Sequence, residues 1–370
     1  MGGSPTTACL ELREPRAAFR RIEDWLRGQG FFASARDALV ADLYLGYGLS
    51  ETIRRTTSPS PPEPCRALPL AACSVRREPY SVLQNDNDTD LDLGDWEATW
   101  TSADYVAAVE RVRAAIERGD VYQVNLVQHL SAACSGAHDS IAHALAASLA
   151  SLRPLSPQPF VGDGWAVVSA SPELFLSRRG RRVWTMPIKG TRPAGGAAEL
   201  RESEKDAAEH VMIVDLERND LSRVCEPGSV RWPKLMATHE LAGVEHMVST
   251  VEGTLREETG LAEILEATFP GGSVTGAPKI AAVDLIAELE PVGRGASMGA
   301  LGTVRGNGDF DLALTIRTFA LGEGRVHLWV GGGVVWDSDP GAEVEESWTK
   351  ARPLLKAIGA DVTTIEAVRT

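Results

Sequence analysis

Met298-Gly-Ala-Leu-Gly-Thr-Val-Arg305, Phe310-Asp-Leu-Ala-Leu-Thr-Ile-Arg-Thr-Phe-Ala-Leu321 and Val326-His-Leu-Trp-Val-Gly-Gly-Gly-Val-Val-Trp336 follow one another with only short glycine-bearing turns between them. Runs this rich in branched and aromatic residues, bounded by glycine, read as strands. Upstream, the same signal marks Val121 to Leu130, Ala166 to Ser171, Leu174 to Ser177, Arg182 to Ile188, Ser229 to Leu235 and Val244 to Leu255. Helical spacing fits Ser102 to Arg118, with Ser102 as N-cap and Tyr105, Val109, Val112 and Ile116 on one face. It also fits Ala198 to Glu217, Leu261 to Phe269, Pro278 to Leu289 and Pro340 to Lys356. Clusters of strands broken by single helices, without strict alternation, predict an α+β fold with mainly antiparallel sheet.

The first hundred residues read differently. Arg16 to Arg27 and Ser34 to Leu45 have helical patterns, and the proline-rich stretch 58–64 reads as an extended connector. An N-terminal region over 1–100, packing on a main domain over 101–370, is the expected organisation. Asp86, Asp88, Asp90 and Glu97 have the spacing of a calcium loop, yet Leu91 occupies the position where that loop's sharp turn needs glycine. A solvated acidic loop is therefore expected there.

Across 370 residues, 44% hydrophobic and 24% charged, the composition is that of an ordinary globular protein. The formal net charge of −14 repels nucleic acid and anionic membranes, so an anionic substrate needs local cations or a metal. No apolar run of membrane-spanning length and no signal-peptide pattern occurs, which makes the cytoplasm the expected compartment. Five scattered cysteines lack C-x-x-C spacing and are expected as free thiols. Gly271-Gly-Ser-Val-Thr-Gly-Ala-Pro-Lys279 is not a phosphate-binding P-loop, because Ala277 and Pro278 separate the second glycine from the lysine. It remains a glycine-rich turn feeding a helix.

Two helices carry carboxylates at intervals that share a face: Asp206 and Glu209, then Glu343, Glu346 and Lys350. Taken alone, each is an ion-paired, solvated stripe; taken together, their oxygens are the donors that Mg²⁺ prefers.

Five stretches carry a more specific signal. Pro187-Ile-Lys-Gly-Thr-Arg-Pro193, Met212-Ile-Val-Asp-Leu-Glu-Arg-Asn-Asp-Leu221, Phe269 to Lys279, Leu314-Thr-Ile-Arg-Thr318 and Gly331 to Pro340, in this order, resemble the chorismate-utilising enzymes. The similarity runs from about Ser102 to Leu355, and within the family it points to the branch of aminodeoxychorismate synthase component I. The resemblance implies an αββα sandwich of two large antiparallel sheets with outer helices around one cleft. It implies Mg²⁺ bound directly by Glu209 and Glu346 and through water by Asp206 and Glu343, holding the ring carboxylate of chorismate. Arg317 and Lys350 match residues that receive substrate carboxylates, and Gly190, Thr191, Ser273, Gly332 and Gly333 match the cleft lining. His246 matches a histidine near the leaving hydroxyl, and Glu173 matches the general acid that must protonate it, with a pKa raised by burial.

Lys189 selects the branch: the anthranilate-forming relatives carry a small residue there and let ammonia attack C2. A lysine implies that its amine attacks C2 first and that ammonia then enters at C4, giving 4-amino-4-deoxychorismate, a 4-aminobenzoate and folate precursor. An attacking lysine must be neutral, so a lowered pKa is expected. A purely electrostatic lysine is the competing account. Gln123 stands where water-using relatives carry lysine, which argues against water as the nucleophile. Ala194 and Ser297 depart from the family pattern. No glutaminase nucleophile elbow occurs, so ammonia is expected from a separate glutaminase subunit. An anthranilate- or aminodeoxyisochorismate-forming enzyme, and a catalytically silent chorismate-binding subunit, are the alternatives.

Overall fold

The computed structural model describes residues 8–33, 39–77, 91–193, 195–241 and 244–360. Among these, two sheets form, and every strand pairing in them is antiparallel. The larger runs β1 (Cys9–Leu12), β3 (Ala71–Arg77), β2 (Leu39–Leu45), β14 (Ala300–Arg305), β15 (Phe310–Leu314), β8 (Leu174–Arg179), β9 (Arg182–Met186), β12 (Val244–Thr254) and β10 (Ile188–Pro193), with β11 (Arg231–Leu241) also on β12. The smaller runs β13 (Gly276–Ala277), β5 (Gln123–Ala133), β17 (Arg325–Val334), β16 (Thr318–Gly322), β7 (Trp165–Ser169) and β6 (Phe160–Gly162), with β4 (Glu97–Ala98) on β5.

The helices are α1 (Ala18–Gly28), α2 (Ser102–Glu117), α3 (His138–Leu149), α4 (Ala197–Glu202), α5 (Glu204–Ser222), α6 (Leu261–Thr268), α7 (Lys279–Leu289) and α8 (Pro340–Ala357). Helices α2, α3, α7 and α8 pack on the smaller sheet, and α1, α4 and α5 on the larger. Between the sheets one continuous apolar cluster is buried. Tyr44 of β2 meets Trp165 of β7 there at 5.7 Å between ring centroids, and Phe160 of β6 at 6.4 Å. This is the α+β sandwich with outer helices expected from the sequence.

Several local expectations are corrected. The helical reading of Ser34 to Leu45 is wrong for Leu39–Leu45, which is strand β2; residues 34–38 lie outside the described set. A short, nearly continuous apolar run does not distinguish strand from helix, and here pairing with β3 and β14 decides it. The cap of α2 is Thr101, not Ser102: its hydroxyl accepts from Asp104 N at 3.1 Å while the Asp104 carboxylate accepts from Thr101 N at 3.2 Å. The single helix read over Ala198 to Glu217 is two, broken where Ser203 leaves the helical conformation to cap α5. Helix α3 has no counterpart in the sequence reading. The acidic residues Asp86, Asp88 and Asp90, and Ala194, lie outside the described residues. All five cysteines are free thiols. No helix of the described residues is long and apolar enough to cross a membrane.

The correction that matters most concerns Phe310 to Leu321, read as one strand. The chain leaves the larger sheet at Leu314, takes a left-handed backbone turn at Arg317 (φ 50°) and enters the smaller sheet at Thr318. A second passage, from Ser169 in β7 to Leu174 in β8, runs beside it. The two are tied by Ala170 N donating to Arg317 O at 3.0 Å and Leu314 N donating to Glu173 O at 2.9 Å. Glu173 and Arg317 therefore sit on neighbouring passages between the same two sheets.

Candidate functional site

The glycine-rich turn before α7 abuts these passages. Its Ser273 donates to Glu173 Oε1 at 2.8 Å, and Ile188 N approaches the same oxygen at 3.5 Å. The Glu173 carboxyl is buried, and burial raises its pKa above the ordinary carboxylate value despite Ser273 and the charges of Lys189 and Arg317. Arg317 is half-buried, and its guanidinium makes no hydrogen bond or ion pair with the described residues.

Lys189 enters from β10. Strand pairing with β12 slips between Lys189 and Thr191, where Gly190 adopts φ 66°, a conformation that favours glycine. A Cβ at Gly190 would also run into Leu200 and come within 3.4 Å of the Asp206 carboxyl carbon. The slip lets Lys189 Nζ reach Glu209 Oε1 on α5 at 2.6 Å, and Gln123 Nε2 of β5 donates to the same oxygen at 2.9 Å. The expected lowering of the Lys189 pKa is not what the geometry gives. Burial pushes it down, but the charge and hydrogen bond of Glu209, with Glu173 and Glu346 behind, push it up further, and the net direction is upward. At rest this lysine is an ammonium.

Thr191 lies opposite His246 in the ladder between β10 and β12. The His246 ring is buried; burial and the nearby Arg317 charge lower its pKa against a hydrogen bond with the Gly190 backbone, so it is neutral at pH 7. Asp206, a turn before Glu209, is engaged by Arg192 Nη2 at 2.8 Å.

From the other side, α8 presents Glu343, Glu346 and Lys350 to the glycine end of β17. Lys350 Nζ donates to Gly331 O at 2.8 Å and to Glu346 Oε1 at 2.7 Å. A Cβ at Gly332 would lie 3.0 Å from Glu346 Oε1, and one at Gly333 would lie 2.8 Å from Glu209 Oε1. The two glycines thus leave room for carboxylates arriving from two helices. Among the described residues, no three His, Cys, Asp or Glu side chains form a group that could hold a metal ion. Mg²⁺, however, is ordinarily held by one or two carboxylates, with water and substrate oxygens filling the octahedron. The donor chemistry of Glu209 and Glu346 fits that ion.

The sequence reading missed four neighbours. His210, beside Glu209, is buried with Nε2 2.6 Å from Ser249 Oγ, and burial pushes its pKa down to about 4. Asn125 is buried, and its Nδ2 makes no hydrogen bond with the described residues. Arg294 donates to Val274 O at 2.8 Å, Asn125 O at 2.7 Å and Glu290 Oε1 at 2.7 Å, bracing the turn against β5. Glu217 is buried behind Glu173. A lone histidine carries no spacing signal, and Glu217 stands in the charged run Asp215 to Asp220, where sequence does not say which side chain turns inward, so only the fold reveals them. Ser297, the departure noted above, is buried and donates to Thr315 O at 3.3 Å in the passage beside Arg317.

A model of the family described as chorismate binding enzyme matches residues 30–356. The chain belongs to this family. Among its relatives, anthranilate synthase component 1 of Streptomyces coelicolor is 42% identical over 277 residues, covering 71% of this chain and 53% of that protein. Aminodeoxychorismate synthase component 1 of Escherichia coli is 39% identical over 272 residues, covering 71% of this chain and 59% of that protein. The chain thus spans little more than half the length of these curated relatives. The crystal structure of anthranilate synthase component I from Streptococcus pneumoniae superposes with a TM-score of 0.80 at 26% identity, covering 95% of this chain and 90% of that one.

Proposed function

We propose that the chain aminates chorismate at C4 with ammonia, in the manner of an aminodeoxychorismate synthase component I, with Mg²⁺ at Glu209 and Glu346. The observation that carries this reading is Lys189, a largely shielded amine paired with Glu209 and within the influence of the general-acid candidate Glu173. Arg317 and Lys350 receive the two substrate carboxylates. Lys189 first passes its ammonium proton to solvent; Glu173, whose pKa burial raises, then gives its proton to the C4 oxygen as the Lys189 amine bonds to C2, so that water departs and the ring double bonds shift. Ammonia then bonds to C4, the C2–N bond breaks, and the proton lost by the new amine offsets the one Glu173 gave. Neutral His246 hydrogen-bonds near the leaving oxygen without adding charge. Glu209 and Glu346 would hold Mg²⁺, which when bound would supply positive charge for the ring carboxylate.

A separate glutaminase subunit is the proposed ammonia source, consistent with relatives named as a first component. The test is direct: incubate the purified chain with chorismate, Mg²⁺ and ammonium and identify the product by mass and ultraviolet spectrum. A C4-amino product supports the reading. Anthranilate would favour the branch named for the Streptomyces relative, and binding without turnover would favour a silent subunit.

A further inference from the structure

The proline-rich connector 58–64, which the proposed reaction does not use, carries one charged residue, Glu63. Pro61, Pro62 and Pro64 have a fixed φ and no N–H to donate, so the stretch is ordered at little entropic cost and builds no ladder of its own. Its acceptors serve another loop instead. Pro62 O accepts from Gly293 N at 2.9 Å, and Glu63 Oε2 accepts from Gly295 N at 3.0 Å. A Cβ at Gly293 would collide with the Glu63 carboxyl, so the missing side chain lets that carboxyl lie against the loop. Tyr47, which opens the short helix Tyr47–Ile53, grips the same loop by donating from its N–H to Gly295 O at 3.1 Å.

Arg294 stands between the two held glycines. Gly295 adopts φ 49° and, like Gly293, has no side chain to pin it, so the connector and Tyr47 supply the constraint that the loop lacks. From this backbone the Arg294 guanidinium lies over the Tyr47 ring, 4.6 Å from its centroid, and reaches Val274 O at 2.8 Å and Asn125 O at 2.7 Å. Val274 follows Ser273, which donates to Glu173 Oε1 at 2.8 Å. From Glu63 to Glu173 every link is therefore a hydrogen bond or a covalent neighbour.

We propose that Glu63 is a positioning residue for Glu173: by holding the Gly295 N–H it seats Arg294, and Arg294 fixes the turn from which Ser273 orients the acid. This inference rests on the amination reading. Glu290 neutralises the Arg294 charge but leaves its backbone free, so the two carboxylates do different things. Burial pushes the Glu63 pKa up to about 7 against the Gly295 hydrogen bond, with the charge of Glu51 adding to the rise. Ionised or protonated, the carboxyl keeps an oxygen lone pair for Gly295, and an amide can supply the same acceptor.

Glu63→Ala removes that acceptor. Assayed below its melting transition with chorismate, Mg²⁺ and ammonium, it should lose roughly tenfold in kcat, with KM within about twofold of the parent's, because proton delivery suffers while the substrate carboxylates are still received. Glu63→Gln should restore most of the lost kcat. Ser273→Ala breaks the last link, so adding Glu63→Ala to it should cost little more, whereas independent effects would multiply. Crystal structures should show the Ser273–Glu173 hydrogen bond lost or lengthened in Glu63→Ala and kept in Glu63→Gln. A Glu63→Ala protein with the parent's kcat, losses that multiply with Ser273→Ala, or an unmoved Ser273 overturns the proposal. If Glu63→Ala does not fold, Glu63→Asp, which keeps the carboxyl but shortens its reach to Gly295, should lower kcat with the same unchanged KM, and parental kcat there overturns it equally. A parent that yields no C4-amino product overturns the amination reading, and the crystal structures then decide the link from Glu63 to Glu173 by themselves.

Discussion

Lys189 Nζ and Glu209 Oε1 form a 2.6 Å ion pair between β10 and α5, with both side chains largely shielded from solvent. The pair joins the proposed nucleophile to a proposed metal ligand, so charge at one controls protonation at the other.

If the Lys189 amine attacks C2, Lys189→Ala should still bind chorismate through Arg317 and Lys350, yet lose C4 amination by roughly two or more orders of magnitude. Binding titration together with the rate of C4-amino product formation checks this. A near-normal rate would leave the lysine an electrostatic role only.

Glu209→Gln and Glu346→Gln should each leave the fold intact and cut Mg²⁺-dependent turnover by roughly a hundredfold or more. Glu209→Gln should also lower the Lys189 pKa, since it removes the main group that raises it. Activity against Mg²⁺ concentration, and lysine titration by nuclear magnetic resonance, read the two effects. Full activity of both variants in excess chelator would exclude this metal site.

Glu173 acts as an acid only while protonated, and burial raises its pKa. Because Lys189 must also shed its proton, the rate at fixed free ammonia should rise with pH until Glu173 begins to ionise, hold while the two losses offset each other, and fall only once Lys189 is neutral. Glu173→Gln should abolish turnover at every pH, because the amide cannot donate a proton to the C4 oxygen. A Glu173→Gln enzyme that keeps the parent's pH–rate profile would remove Glu173 from the reaction.

At Gly333 an added methyl meets the movable ends of Gln123 and Glu209, whereas at Gly331 it meets the Leu126 backbone carbonyl. Gly333→Ala should thus change stability by only about 1 kcal/mol while impairing turnover. Gly331→Ala should instead lower the melting temperature. Thermal unfolding and kinetics of the pair separate the two effects, and the reverse ranking would contradict this geometry.

The Arg294–Glu290 pair is almost wholly enclosed, at 1% and 3% side-chain exposure. Arg294→Met leaves the Glu290 carboxyl buried without its cation and should cost about 3–5 kcal/mol of stability. Denaturant unfolding measures it; a loss well below 1 kcal/mol would mean that the turn holds Ser273 and Val274 without this brace.

Much of the fold was legible because it rests on local chemistry. The strands around Met298 to Trp336 and the helix from Pro340 announce themselves by branched residues, glycine turns and apolar spacing, and those patterns do not depend on distant partners. The carboxylate intervals on α5 and α8 were likewise readable, since helical spacing alone puts three- and four-residue neighbours on one face. Leu39–Leu45 failed as a helix because its apolar run fits both periods, and only the neighbouring strands choose between them.

The sequence by itself determined the α+β class, the family and the residue types available to the chemistry. Tertiary structure decided the rest: that Phe310 to Leu321 divides between two sheets at Arg317, that Glu173 rides the adjacent passage, and that Lys189 rests charged against Glu209. Each depends on residues far apart in the chain being buried together. Burial and unlike charge pull a lysine's protonation in opposite directions, and only the distances say which prevails.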